Sequence, residues 1–328
     1  IELVDGASGR TLAGLPLIKR RDGELTCIEF ADLDLTDYNL PILARGVSLD
    51  RLPPDQVVAC LSESLPRADI LRFTKMPAEI EGNSNPFASH RRATPSLLHR
   101  NILTIDGTWE DYRRKRLAKK VRKELERSWR VFERDACDAR FDGITDVDEA
   151  LALLPVIEAL HQRRVATRNG TYLLDDEPYA AFYRALIGEG LASGDVTLTV
   201  LRDGPDKLVA ALLALRAGNT LTMVRMAQDC ENWPRCSPGR LVIDQTIQAF
   251  FKEGLRHFDF TTGNYAYKDA FGVSLYPLFE LTPLLSVRGR PHLGRAEVVE
   301  SVKTRIRRHP RLYESLKSWG GKRDAGRT

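Results

Sequence analysis

The stretch Ser237-Pro238-Gly239-Arg240-Leu241, set between an apolar strand-like run and an amphipathic helical one, has the residue types of an anion-binding loop. Gly239 lets a backbone approach a ligand closely and Ser237 can cap the helix that follows. The first-turn amides and the helix dipole add partial positive charge at that end. The dipole contributes only about 0.3–1 kcal/mol at an exposed site, so several well-placed N–H bonds must do most of the binding. A plain helix cap has the same spelling. Further along, Asp259 alternates with Phe258 and Phe260 and therefore faces away from their side of a strand, where it can serve chemistry, pair with an arginine or cap the next loop. His161, in Leu160-His161-Gln162-Arg163-Arg164, sits on a helix face with Arg164 one turn on, and both are candidates for touching a substrate. The other five histidines form no cluster, which gives a metal mechanism no support.

These residues belong to a chain of 328 residues, 43% hydrophobic and 29% charged, a globular composition whose length points to two domains at roughly 150 residues each. No apolar run reaches the roughly 18 residues of a membrane-spanning helix. Cys27, Cys60, Cys137, Cys230 and Cys236 are scattered and odd in number, without Cys-x-x-Cys pairs, and read as reduced thiols of a cytoplasm. The start at Ile1 shows neither a signal segment nor an initiator methionine, so secretion is not expected. The net charge of +4 argues for no nucleic acid by itself, and DNA is not expected as a partner. Its distribution is uneven. Residues 286–328 hold 12 Lys and Arg against four acidic residues, and a second basic concentration runs over 113–130. In the tail, Val298, Val302 and Ile306 with Lys303, Arg305, Arg307 and Arg308 would make a short basic amphipathic helix able to attach to the anionic inner face of a membrane.

Periodicity supplies the elements. Strands over 15–20 and 25–30 flank an Asp22-Gly23 hairpin turn. Val57, Val58, Leu61 and Leu65 mark a helix after Pro53-Pro54, a short strand covers 70–73, and 81–85 reads as a polar loop. Leu117, Val121, Leu125 and Trp129 recur every four residues, which predicts one long helix over 109–130 with a strand leaving it at 131–134. That helix is either a solvated surface or a basic wall beside an anionic ligand. Helices follow over about 147–164, with Pro155 inside, and from Pro178 to a stop at Gly194. Strands at 196–201, 208–216 and 220–227, separated by turn residues, form an antiparallel meander. The chain then runs loop (229–239), helix (240–253), strand (256–261), short helix (264–271) and strand (278–284), the grammar of a βαβ unit whose ligands collect where strands end and a helix begins.

That order, with Ser237-Pro238-Gly239-Arg240-Leu241, Glu253-Gly254-Leu255-Arg256-His257-Phe258-Asp259-Phe260, Gly263 and Tyr267-Lys268, resembles the GNAT acyltransferases, and within them the CelD-like proteins of cellulose and exopolysaccharide loci, related to the FemAB transferases. The likeness extends more weakly to Leu15-Pro16-Leu17, Asn85-Pro86 and the basic helix. Where the family has an acidic turn after the strand, this chain has Thr261-Thr262-Gly263-Asn264. The resemblance implies an α+β fold of two GNAT-like lobes, each a mixed, mostly antiparallel sheet flanked by helices. The first, degenerate lobe would cover 1–135 with the basic helix 109–130, the acyltransferase lobe 146–285, and the basic tail 286–328.

The resemblance also implies transfer of an acyl group from acetyl-CoA or a related thioester to an amine of a small molecule or envelope precursor. Ser237, Pro238, Gly239, Arg240 and Leu241 would hold the carrier's diphosphate. Tyr267 or Tyr265 would protonate the departing thiolate, or else pack as aromatics under a loop. Asp259 would accept the amine's proton, while Lys268, His161 and Arg164 would contact substrate. An acyl carrier protein is an allowed donor partner. Two other readings stand beside this one. FemAB-like aminoacyl transfer from charged tRNA would use the basic helix and tail on phosphates, although no second long helix completes the hairpin arm common in those relatives. A catalytically silent polysaccharide-synthesis accessory would use the same cleft for binding alone.

Overall fold

The computed structural model describes residues 1–289 except 34, 50, 51, 81, 167–176 and 264. The expected basic tail helix around Val298, Val302 and Ile306 lies outside the described residues, as do Asn264 and the side chain of Arg164. The chain divides into two units, Ile1–Leu98 together with the chain from Pro277 onward, and His99–Tyr276. Helical residues over 109–135 therefore belong with the second unit, whereas the sequence reading placed them with the first.

The first unit opens with β1 (Glu2–Val4), β2 (Thr11–Gly14), β3 (Leu17–Asp22), β4 (Leu25–Phe30) and β5 (Ile42–Leu43). It continues through α1 (Pro54–Ser64), β6 (Ile70–Pro77) and the small hairpin β7 (Glu79–Ile80) and β8 (Asn83–Ser84), which stands where a polar loop was expected. Asp22-Gly23 makes the expected hairpin between β3 and β4, with Gly23 at a φ of +63°. Burial of Val57, Val58 and Leu61 docks α1 on Ile28, Phe30, Leu71 and Phe73, and β4 and β6, joined through that helix, run parallel. Later strand residues of β15 (Ser274–Leu281) pair antiparallel with β6, through Leu278, Phe279 and Leu281.

The second unit takes up the chain in β9 (Thr94–Thr104), followed by α2 (Trp109–Lys115), α3 (Lys119–Asp135), β10 (Ala139–Ile144), α4 (Val147–Ala166) and α5 (Glu177–Ser193). Then come the meander β11 (Val196–Asp203), β12 (Leu208–Ala217) and β13 (Thr220–Gln228), α6 (Pro238–Lys252), β14 (His257–Asp259) and α7 (Ala266–Asp269). Its strand order is β10-β11-β12-β13-β14-β9, antiparallel throughout except where α6 carries the chain from β13 to a parallel β14. The second unit is thus a mixed, mostly antiparallel sheet flanked by helices; in the first, β3, β4, β6 and the later residues of β15 pair beside the small β1-β2-β5 and β7-β8 sheets, and each unit has one parallel pair joined through a helix.

The long helix expected over 109–130 is two helices, and the strand expected at 131–134 is the end of the second. Arg116 closes against the turn at Gly272, where any β-carbon would stand 2.9 Å from the Arg116 carbonyl oxygen, and Ala118 is extended at ψ 140° before α3 begins. Phe132 is fully buried and continues the Leu125 and Trp129 face at helical spacing, which overrides its β-propensity. Pro155 remains within a continuous α4.

Two layers sandwich the second sheet. Thr199 of β11 hydrogen-bonds Thr246 of α6 at 2.6 Å on one face. On the other, Arg225 of β13 lies 4.1 Å from the ring of Tyr183 of α5. A β-bulge in β13 sets the second contact: Ala214 pairs with Met223 and Leu213 with Arg225, so Val224 is the extra residue. Met223 therefore faces α6 before the bulge, Met226 and Gln228 face it after, and Arg225 turns the other way.

Candidate active site

The loop between β13 and α6 is drawn tight by its own side chains. The Asp229 carboxylate accepts hydrogen bonds from the Asn232 amide at 3.2 Å and its side chain at 2.7 Å. Trp233 packs edge-on against Phe132 at 5.1 Å. Cys236 is buried beneath it, and burial pushes its thiol up to about 11. Ser237 ends the loop in the left-handed region at φ +49° and makes no side-chain cap.

The amides of the expected phosphate cradle are engaged within the protein. Pro238 has no N–H, and the Gly239 N–H donates to Gln228 Oε1 at 2.7 Å. Those of Arg240 and Leu241 point at the Ser237 carbonyl, 3.0 and 3.2 Å away. These last two are the ordinary first bonds of the helix, accepted by its N-cap carbonyl. Gly239 is required by packing: a β-carbon there would collide with Gln228 Oε1 and stand 2.8 Å from Met226 Sδ. Leu241 is fully buried in the core, so its side chain is not part of the loop's open face.

What the loop does offer is Arg240. Its Nη1 reaches Glu124 of α3 at 3.3 Å, while Nε and Nη2 are buried without a partner among the described residues. Arg240 lines a cleft of about 260 Å³ with Met226, Gln228, Trp233, Ser237 and Tyr267. The structure thus brings Ser237, Pro238, Gly239 and Arg240 together with Tyr267, about thirty residues later in the chain.

A second turn, after β14, sets the tyrosines. Thr261 adopts the left-handed conformation at φ +59°, a strain of roughly 1–2 kcal/mol for a residue with a β-carbon. Three buried groups hold it. Asp259 Oδ1 accepts from the Thr261 amide at 2.8 Å, Asn101 Nδ2 donates to the Thr261 carbonyl at 2.7 Å, and Lys268 Nζ donates to the carbonyls of Thr261 and Thr262. Asp259 Oδ2 meets Arg100 at 3.1 Å. Lys268, expected to contact substrate, is 2% exposed, and its ammonium ties this turn. Asp259, 1% exposed, takes the two structural roles its strand position allowed, arginine partner and loop cap. Tyr265 is exposed and stacks on Tyr267 at 6.0 Å, and Tyr267 also meets Phe260 edge-on at 6.4 Å. His161 is half-buried on α4.

Sequence reasoning missed Gln228, Met226, Asn101 and Arg100. Met226 and Gln228 were readable as one face of β13, given strand alternation. Asn101 and Arg100 lie some 160 positions from their partners and carry no local signal. Among the described residues, no group of His, Cys, Asp and Glu could hold a metal, and no helix is long and apolar enough to cross a membrane.

Residues 119–269, within the second unit, match the model of the acetyltransferase (GNAT) domain family. Among solved structures, the chain is similar to the C-terminal domain of a protein assigned as a lysylphosphatidylglycerol synthetase from Agrobacterium fabrum, at 13% identity and TM-score 0.53, covering 88% of each chain. It is likewise similar to FemX at 11% and 0.52, covering 84% of this chain and 86% of that one. The L-PGS of Bacillus licheniformis gives 11% and 0.51 over 80% and 79%. At such identities these likenesses establish the fold alone. No curated protein matches the chain.

Proposed function

We propose that the second unit is an N-acyltransferase that moves an acyl group, acetyl in the simplest case, from coenzyme A or a related thioester carrier to an amine of a small molecule or an envelope or exopolysaccharide precursor. One observation carries this reading: Arg240, with two buried guanidinium nitrogens unpartnered, opens on the same cleft as the Tyr267 ring. Unpartnered buried N–H groups are costly in the empty site and fit an anionic diphosphate, to which arginine can offer two parallel bonds. Arg240, with the walls given by Ser237, Pro238 and Gly239, would hold the carrier. When bound, the thioester supplies an activated carbonyl and a thiolate leaving group.

The chain's own residues then have limited work. The amine must be neutral and aligned, and orientation of this kind can supply up to about 7–11 kcal/mol of barrier reduction. The Tyr267 hydroxyl would give its proton to the departing sulfur, the ring being fixed between Tyr265 and Phe260. General acid catalysis of this type is worth roughly 10²–10⁴-fold. Asp259, closed in by Arg100 and the Thr261 amide, positions the turn that presents Tyr267. The sequence resemblance to CelD-like proteins supports an envelope or exopolysaccharide acceptor.

The test mixes the full chain with acetyl-CoA and a panel of small amines and follows thiol release. Amine-dependent release, together with a coenzyme A-induced rise in melting temperature, is expected. Absence of both would overturn the reading in favour of a binding module. RNA retention that falls steeply between low and moderate salt would shift it to tRNA-dependent transfer.

A further inference from the structure

The bulge at Val224 places a second arginine on the sheet's other face, where neither the donor cleft nor the core explains it. Arg225 is 8% exposed, and its guanidinium lies 4.1 Å from the Tyr183 ring centroid. Among the described residues it has no ion pair and no hydrogen bond, and Nη1 is buried without a partner. The ring face offsets only part of what a guanidinium loses on leaving water, which leaves a cation that wants an anion. The position is next to the chemistry. Parallel pairing of β13 with β14 ends at Thr222 and Asp259, so the edge of β13 from 223 onward is open where the bulge stands. Met226 and Gln228 line the donor cleft from one face of that segment, and Arg225 turns to the opposite face.

We infer that Arg225, backed by Tyr183, receives the carboxylate of the acceptor, and that the acceptor is therefore an amine that also bears a carboxylate: an amino acid or the free end of a peptide. This rests on the acyl-transfer reading and narrows it. One guanidinium balances one negative charge and matches a planar carboxylate in two parallel bonds. A phosphate dianion would call for a second cation.

The experiment measures thiol release from acetyl-CoA with matched acceptors: amino acids and dipeptides against their carboxamides, and glucosamine 6-phosphate against glucosamine. The wild-type chain is expected to prefer carboxylates by about 10- to 100-fold in kcat/KM, the range of a charged hydrogen bond. Arg225→Lys should reduce that preference by raising KM for the carboxylates more than for the carboxamides. The wild-type ratio needs no variant, so a poorly folding substitution does not spoil the test. Equal use of carboxylates and carboxamides, an Arg225→Lys loss common to both members of each pair, or a preference for glucosamine 6-phosphate would overturn the assignment and leave acyl transfer standing. Silence toward every amine would overturn acyl transfer itself.

Discussion

Gly239→Ala should damage the donor loop through Gln228, and the damage should be reversible. The new methyl group would collide with Gln228 Oε1 and lie 2.8 Å from both Gln228 Cδ and Met226 Sδ. Gln228 is the easier of the two to move, because only its hydrogen bond to the Gly239 amide holds its tip. Swinging it away forfeits that bond, worth about 1 kcal/mol net, and strands a buried N–H. Residual overpacking against Met226 adds about 1–3 kcal/mol, and the helix preference of Ala over Gly returns at most about 1 kcal/mol. The net expectation is a loss of about 1–3 kcal/mol. In a Gln228→Ala background the Gln228 contacts and the bond are already gone and only the Met226 contact remains, so the same substitution should cost about 1–2 kcal/mol less. Urea denaturation of the four proteins, followed by tryptophan fluorescence with Trp233 in this loop, gives the coupling. A value of about 1–2 kcal/mol is expected for residues in contact. If the two penalties add to within about 0.5 kcal/mol, Gln228 does not seal the helix start and the account of Gly239 is wrong.

Three further outcomes follow from the same contacts. Tyr267→Phe should lower kcat by about 10²-fold while leaving the KM for acetyl-CoA close to wild type, since the ring that packs in the cleft is kept and only the proton donor is lost. Lys268→Met should lower the urea midpoint by the equivalent of about 1–3 kcal/mol, because the carbonyls of Thr261 and Thr262 lose a buried donor; an unchanged midpoint would refute the tie. Asp244 of α6, bonded through both oxygens to Arg113 of α2, has its carboxyl raised above the ordinary 3.8, with burial outweighing the pull of Arg113. The folded state therefore holds that proton more tightly than the unfolded one, and stability should fall as pH rises from 3.8 through the higher folded value. Asp244→Asn should flatten that slope in urea midpoints taken from about pH 4 to 7.

How far the site was readable depended on whether its determinants were local. The hairpin at Asp22-Gly23, the meander and the α6 crossover came from period and turn chemistry, and the structure keeps them with boundaries moved by a few residues. The long basic helix failed because four-residue spacing is indifferent to a break that preserves the stripe. Its cause, the Arg116 approach to Gly272, lies more than 150 positions away. The same distance hid the turn after β14. Lys268 reads as a surface charge until Asn101 and Asp259 are seen to fold the Thr261 carbonyl toward it. The donor loop reads ambiguously because its residue types allow both an open cradle and a self-satisfied cap. The side chain that takes up the Gly239 amide, Gln228, lies eleven positions earlier on β13.

That turn after β14 also accounts for why the sheet opens where it does. Continuing the ladder past Asp259 would pair the chain with the edge of β13 beyond Thr222 and close the gap beside the bulge. Thr261 prevents this by taking a left-handed conformation that reverses the strand, at roughly 1–2 kcal/mol. The Asp259, Asn101 and Lys268 bonds together contribute more than that, since each involves a buried group and two involve a charged one. Hence Asp259 need not touch a substrate to matter for activity. A carboxylate that holds Thr261 in place keeps one edge of β13 unpaired, and that edge lies between the cleft of Arg240 and Tyr267 on one face and Arg225 on the other.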